Sequence, residues 1–235
     1  MSSTHKLIAK LLLENTTKKN IVIADFGCGD GYLINFLPLG KIKQYVGMDI
    51  NEHSIKAAKI KYKNDRRFSF STITAKSTKY FSQRSVFDVV ILVGVLQYLS
   101  MKEMSELFIQ ARLALKPGGL LILSCTTDHL LYRLINIYRY LYPHSFINRS
   151  KIIHILNKYN FKKVYQAEKG LILAPFFSNV LAFIFDGIDF LFFRKKGSLG
   201  PIGIFFRNVA EPFISLEYGL NIDYGYTLFI VRRRD

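Results

Sequence analysis

The stretch IVIADFGCGDGY, residues 21–32, sets a strand-length apolar run against three glycines at alternate positions. A run such as Ile21 to Phe26, apolar at every position but Asp25, suits a strand covered on both faces, because it has no alternation of apolar and polar side chains. The glycines follow at once, so the backbone is bare where the strand turns away. Asp30 to Leu37 then reads as a helix start that stops before Pro38.

The same alternation continues outward. Residues 5 to 14 read as a short helix with Leu7, Ile8, Leu11 and Leu12 on one face. Gln44 to Met48 reads as a strand, Ser54 to Tyr62 as a basic helix and Phe68 to Ile73 as a strand. Phe87 to Val93 is apolar on both faces. Met101 to Leu115 has helical spacing and ends at Lys116-Pro117-Gly118-Gly119, a stop signal before the buried strand Leu120 to Ser124. Strands alternating with helices mean βαβ units and a mostly parallel sheet, an α/β fold.

In such a sheet, ligands sit outside the carboxyl ends of the strands near the topological switch point. Gly27, Gly29 and Gly31 occupy the first strand-to-helix turn, where lack of Cβ permits a tight turn and lets backbone amides reach a ligand. A dinucleotide fingerprint, G-x-G-x-x-G, wants glycine or alanine at position 32, which is Tyr32; the spacing here is G-x-G-x-G. Asp49 ends the second strand about twenty residues on, where a carboxylate accepts hydrogen bonds from ribose hydroxyls. Asp25, just before the turn, is placed to face an amino-bearing part of a ligand. Both acids fit a ligand with a ribose and an amino group but no pyrophosphate.

With these residues in view, the sequence resembles the class I S-adenosylmethionine-dependent methyltransferases. ADFGCGDG is similar to their first motif, VGMDIN to their ribose-binding acidic loop and FDVVILVGVLQYLS to their fourth strand and following turn. ARLALKPGGLLILS is similar to the helix and fifth strand that follow. The resemblance implies a Rossmann-like doubly wound sheet, mostly parallel with an antiparallel last strand, in one domain over 1–235. It divides the chain into a cofactor-binding half, 20–125, and an acceptor-side half, 126–235. S-Adenosyl-L-methionine is the implied cofactor. Asp25, Gly27 and Gly29, with Cys28 between the glycines, would line its methionine end. Asp49 would hold the ribose, Ile50 would pack on the adenine, and Val93 and Gly94 would border the sulfonium and the acceptor pocket. Asp88, at a strand start, reads instead as a cap that orients local backbone. Two departures stand out. Ile73-Thr74-Ala75 replaces the acidic residue that often contacts the adenine amine after the third strand, and Gln97-Tyr98 replaces a frequent histidine after the fourth.

Beyond Ser124 the resemblance thins. Ser150 to Tyr159 with FKKVYQAEK resembles the last helix and sixth strand, and YGYTLFIVRRR the final strand. Between them, at about 170–222, a helical insertion is expected before the last strand. Its first part, Pro175 to Phe193, has a wide apolar face and a narrow polar stripe carrying Asp186 and Asp189. Each aspartate would cost about 2.5–3.5 kcal/mol near a bilayer centre, which argues against a spanning helix. Core packing or a place in the membrane interface would suit it. Residues 129 to 142 divide similarly, with Arg133 and Arg139 on the polar side.

Composition bounds the partners. The chain has 235 residues, half of them hydrophobic, and a formal net charge of +16. That charge suits an anionic membrane surface, nucleic acid or a phosphorylated substrate. A solvated face accounts for basic runs such as Lys56, Lys59, Lys61 and Lys63 without any dedicated site. Cys28 and Cys125 form no metal or disulfide pattern, no secretory leader is expected, and a reducing cytoplasm is the default. The reading is methyl transfer to a small-molecule or lipid-linked acceptor, with peripheral contact to an anionic membrane. Ribose or phosphate methylation of RNA and a non-catalytic partner role are the alternatives. The Asn/Asp-Pro-Pro-aromatic signature of base-amino methylation is replaced by Gly94-Val95-Leu96-Gln97. His129, His144, His154, Tyr98 and Tyr142 are candidate bases, none assigned as catalytic, and no metal is expected.

Overall fold

The computed structural model describes residues 2–73, 84–126, 149–169, 212 and 226–234. Its strands are β1 (Ile21–Phe26), β2 (Ile42–Asp49), β3 (Phe68–Thr72), β4 (Phe87–Leu92), β5 (Leu115–Thr126), β6 (Phe161–Lys169) and β7 (Tyr226–Arg233). They form a seven-stranded sheet of order β3-β2-β1-β4-β5-β7-β6. The first five strands are parallel, and β7 runs antiparallel between β5 and β6. The helices are α1 (Ser2–Asn15), α2 (Glu52–Lys61), α3 (Met101–Ala114) and α4 (Arg149–Lys158).

All six residues of β1 and of β4 are buried, as continuous apolar runs predict for central parallel strands. The two-residue period then sorts their side chains into two layers. Ile21 and Ile23 pack with Ile8, Leu12, Ile55 and Ala58, under α1 and α2. Val22, Ala24 and Phe26 pack with Leu107, Phe108, Ile152 and Leu156, under α3 and α4. Each fully buried Leu or Ile contributes about 1.5–3 kcal/mol relative to exposure, so both layers hold the sheet.

Two elements depart from expectation. The helix expected over Asp30 to Leu37 is only a 3₁₀ segment, Tyr32–Phe36. It starts from Gly31 in the left-handed region and ends at an extended Leu37, the conformation that a following Pro38 imposes. Too few residues lie between these two breaks for an α-helix. The expected stop at Lys116 to Gly119 is instead a bulge within β5. Leu115 already pairs with Phe87, and regular pairing resumes at Leu120 opposite Val89.

Asp88 ties the amino ends of the strands together. It is buried and accepts hydrogen bonds from the Val22 amide (3.1 Å), Lys18 (3.0 Å) and Lys116 (2.9 Å). Burial alone pushes this carboxyl up, but Lys116, Val22 and Lys18 together hold it below its ordinary value. This is an orienting role, remote from the strands' carboxyl ends. Cys28 and Cys125 are both buried thiols outside any disulfide, on opposite sides of β4. Among the described residues no helix is long and apolar enough to cross a membrane. The segments 129–142 and 175–193, and all of the expected insertion at about 170–222 except Pro212, lie outside the described residues.

Candidate cofactor and active site

The glycine turn leaves β1 with Gly27 and Gly29 both at positive φ, +82° and +55°. Their surroundings differ. A Cβ on Gly27 would collide with Val95 Cγ2, so that glycine admits the chain following β4. At Gly29 no other protein atom comes within 4 Å of where a Cβ would sit. Room for a ligand therefore exists at Gly29, whereas Gly27 is bare to make room for protein.

The turn's amides correct a second expectation. Gly27 and Cys28 both donate to the Met48 carbonyl (2.7 and 3.1 Å), and Gly31 donates to the Cys28 carbonyl (3.0 Å). Gly29 donates to Asp49 Oδ2 at 2.8 Å. These amides are spent inside the protein and do not reach out to a ligand. A pyrophosphate cradle works by the opposite arrangement, with amides pointing at the anion.

Asp49 is held from two sides, because its Oδ1 accepts the Asn51 amide at 2.9 Å. Each carboxylate oxygen thus has one backbone donor and further acceptor capacity. Asn51 in turn caps α2 by accepting from the His53 and Ser54 amides. One short loop therefore fixes the glycine turn, the acid and the helix start together.

These pieces border a cavity of ≈ 260 Å³ at the carboxyl ends of the strands, where order reverses between β1 and β4. Phe26 and Gly27 line it from β1, Asp49 and Ile50 from β2, Ile73 from β3, and Gly94 and Val95 from β4. Tyr98, Leu99 and Glu103 complete the lining on the way into α3. Ile50 and Tyr98 are 64% and 60% exposed, so two large side chains stand open at this site. Gly94 is anchored by donating to Ser124 Oγ at 3.0 Å and accepting from Gln97 Nε2 at 2.9 Å.

Of the residues expected from sequence, Gly27, Asp49, Ile50 and Gly94 line this cavity, while Asp25, Cys28, Gly29 and Val93 are not part of that lining. Asp25 is buried beneath the turn and accepts a 2.5 Å hydrogen bond from the Tyr45 hydroxyl, itself fully buried. Burial pushes the Asp25 carboxyl up to about 7 against the lowering effect of Tyr45, with the charge of Asp49 adding to the rise. Burial likewise pushes the Cys28 thiol up, reinforced by Asp25 and Asp49, which disfavours a thiolate nucleophile there. Val93 packs against the core layer under α1.

Among the candidate bases, Tyr98 lines the cavity and His154 lies exposed on α4. His129, His144 and Tyr142 lie outside the described residues, as do Thr74 and Ala75. Sequence reasoning missed Phe26, Ile73, Val95, Leu99 and Glu103 as lining residues. The apolar four carry no local signal that separates lining from core. Glu103 did carry one, since Ser100-x-x-Glu103 is a capping-box pattern, but that pattern points to a helix start and not to a cavity.

Residues 24–121 match a family model described as a methyltransferase domain. No curated protein matches the sequence significantly. Among solved structures, phosphoethanolamine N-methyltransferase 2 of Haemonchus contortus, in complex with S-adenosyl-L-methionine, superposes with a TM-score of 0.66 at 18% identity. That match covers 99% of this chain and 53% of the other. N-methyltransferase NodS from Bradyrhizobium japonicum WM9, with bound S-adenosyl-L-homocysteine, gives 0.60 at 18% identity over 99% of this chain and 86% of its own. The 4+2 cyclase SpnF gives 0.65 at 16% identity over 97% and 81%. At these identities the neighbours share the fold, and a shared fold does not set the reaction. Beyond the shared fold, the similarity to methyltransferase domains rests on residues 24–121.

Proposed function

We propose that this chain transfers the methyl group of S-adenosylmethionine to a small-molecule or lipid-linked acceptor. One observation carries the cofactor part: a glycine turn that spends its own amides stands beside a carboxylate, Asp49, with acceptor capacity left on a cavity. A vicinal diol needs such a carboxylate, whereas a pyrophosphate needs the amides. On this reading Asp49 accepts the ribose hydroxyls and Ile50 packs on the adenine. Gly27, Gly29 and Gly94 border the methionine portion, and Asp25, Cys28 and Val93 act from the layer behind.

Bound S-adenosylmethionine supplies a methyl carbon already activated by a sulfonium. The chain's own task is then alignment and exclusion of water, which supply much of the rate in such displacements. Phe26, Val95 and Leu99 give the cavity its apolar walls. Tyr98 brings the one hydroxyl-bearing side chain among the described lining residues.

The lipid-linked acceptor is supported by the sequence pattern alone, which, read as helices, gives residues 175–193 a wide apolar face and 129–142 a basic polar side. It implies a cytoplasmic protein, peripheral on the inner face of a membrane. The net charge of +16 favours RNA ribose or phosphate as the second reading. Calorimetry with S-adenosylmethionine tests the cofactor. Transfer of labelled methyl groups into lipid extract, small amines and RNA tests the acceptor. Label entering RNA alone would overturn the leading reading, and binding without transfer to any acceptor would favour a non-catalytic role.

A further inference from the structure

The cavity holds two carboxylates among its described lining residues, Asp49 and Glu103, and the reading above employs only the first. Glu103 stands in the first turn of α3, on the same cavity as Ile50, Ile73, Val95 and Leu99. Those four side chains are apolar, as a slot for a flat heteroaromatic base should be. A base in that slot needs a partner for its polar edge, and Asp49 is committed to the ribose.

Glu103 is built to provide that partner. Its Oε2 accepts from both the Ser100 amide (2.8 Å) and the Ser100 hydroxyl (2.6 Å). The same two bonds fix the side chain and hold its carboxyl below the ordinary value, the hydroxyl contributing more than the amide. An ionised carboxylate only accepts hydrogen bonds. It therefore selects a base whose edge donates and disfavours one whose edge presents an oxygen. We propose that Glu103 is the specificity determinant for the base of the cofactor, accepting a hydrogen bond from the 6-amino group of adenine. This rests on the assignment of S-adenosylmethionine to the cavity. It also supplies an acid where the chain after β3 begins Ile73-Thr74-Ala75.

The test uses Glu103→Gln, which keeps the capping box, since glutamine serves there as well as glutamate. Ser100 donates twice to one oxygen of the side chain. In the variant the amide oxygen must take that place, which leaves the amide nitrogen, a donor, as the other terminal atom. Calorimetry would compare S-adenosylhomocysteine with its 6-oxo analogue, S-inosylhomocysteine, on the full chain. Wild type should prefer the 6-amino ligand by about 10- to 150-fold, the range of a charge-assisted hydrogen bond. In Glu103→Gln that preference should vanish or reverse, with unchanged circular dichroism. Asp49→Ala should weaken both ligands alike and keep the ratio. If Glu103→Gln shifts both affinities by one common factor, or neither, Glu103 is a helix cap only and the assignment falls. If wild type binds neither ligand, the cofactor assignment itself is wrong, and this one with it.

Discussion

Replacing Asp49 with alanine separates two roles that the structure joins in one carboxylate. In the free protein its oxygens accept the Gly29 and Asn51 amides at 2.8 and 2.9 Å. Removing it leaves two partly exposed amides to water, a loss of about 0.5–1.5 kcal/mol each. Stability should therefore fall by about 1–3 kcal/mol, read from urea unfolding. Binding should fall by more than this loosening explains. A charge-assisted hydrogen bond to a ribose hydroxyl contributes about 1.5–3 kcal/mol, so the Kd for S-adenosylhomocysteine should rise about 10- to 150-fold. A cycle with the 2′-deoxy ligand isolates the direct part. Wild type should lose affinity when the hydroxyl is removed, whereas Asp49→Ala should lose little further. Equal Kd values for wild type and variant, or full additivity in the cycle, would refute the ribose assignment and leave Asp49 as a brace for the glycine turn.

Three further expectations follow from the same bonds and segments. Asp25 has a raised pKa in the folded chain, about 7 against 3.8, so folding takes up a proton between those values. Its stabilising share is complete below pH 3.8 and is lost as pH rises through 7; urea unfolding of wild type should therefore show a decline toward neutrality, approaching about 1.4 kcal/mol per pH unit, that Asp25→Asn lacks. Asp88 has a lowered pKa, so its share is present above the ordinary carboxylate value and lost only as pH falls through the lower one. Asp88→Ala strands the buried Val22 amide and should cost about 1–3 kcal/mol of stability, with cofactor affinity unchanged by calorimetry. Replacing Phe190 and Phe192 with serine should reduce co-sedimentation with anionic vesicles and acceptor turnover while sparing cofactor binding. A folded double variant that sediments like wild type would remove the lipid-linked acceptor.

The order of elements was legible along the chain because its signals are local. A run apolar on both faces, such as Ile21 to Phe26 or Phe87 to Leu92, has no stable place except between two layers. A glycine turn followed by an acid at the end of the next strand is also a local pattern, and it points to Gly27 and Asp49, whereas Ile50 and Gly94 came from the resemblance to the methyltransferases; all four line the cavity. What stayed hidden depends on atoms far apart in sequence. The glycines advertise bare backbone, yet only packing reveals that Gly27 is bare for Val95, and that Met48 and Asp49 consume the turn's amides. Asp25 looks like a ligand-facing acid until Tyr45, on the neighbouring strand, takes its oxygen and closes it beneath the turn. Glu103 is a helix-start signal in the chain, and it becomes a wall of the cavity only once β4 places the head of α3 beside the ends of β1 and β2. Local pattern determined which elements form and in what order. The tertiary structure alone decided which side chains share a cavity, because that depends on where parallel strands end relative to one another.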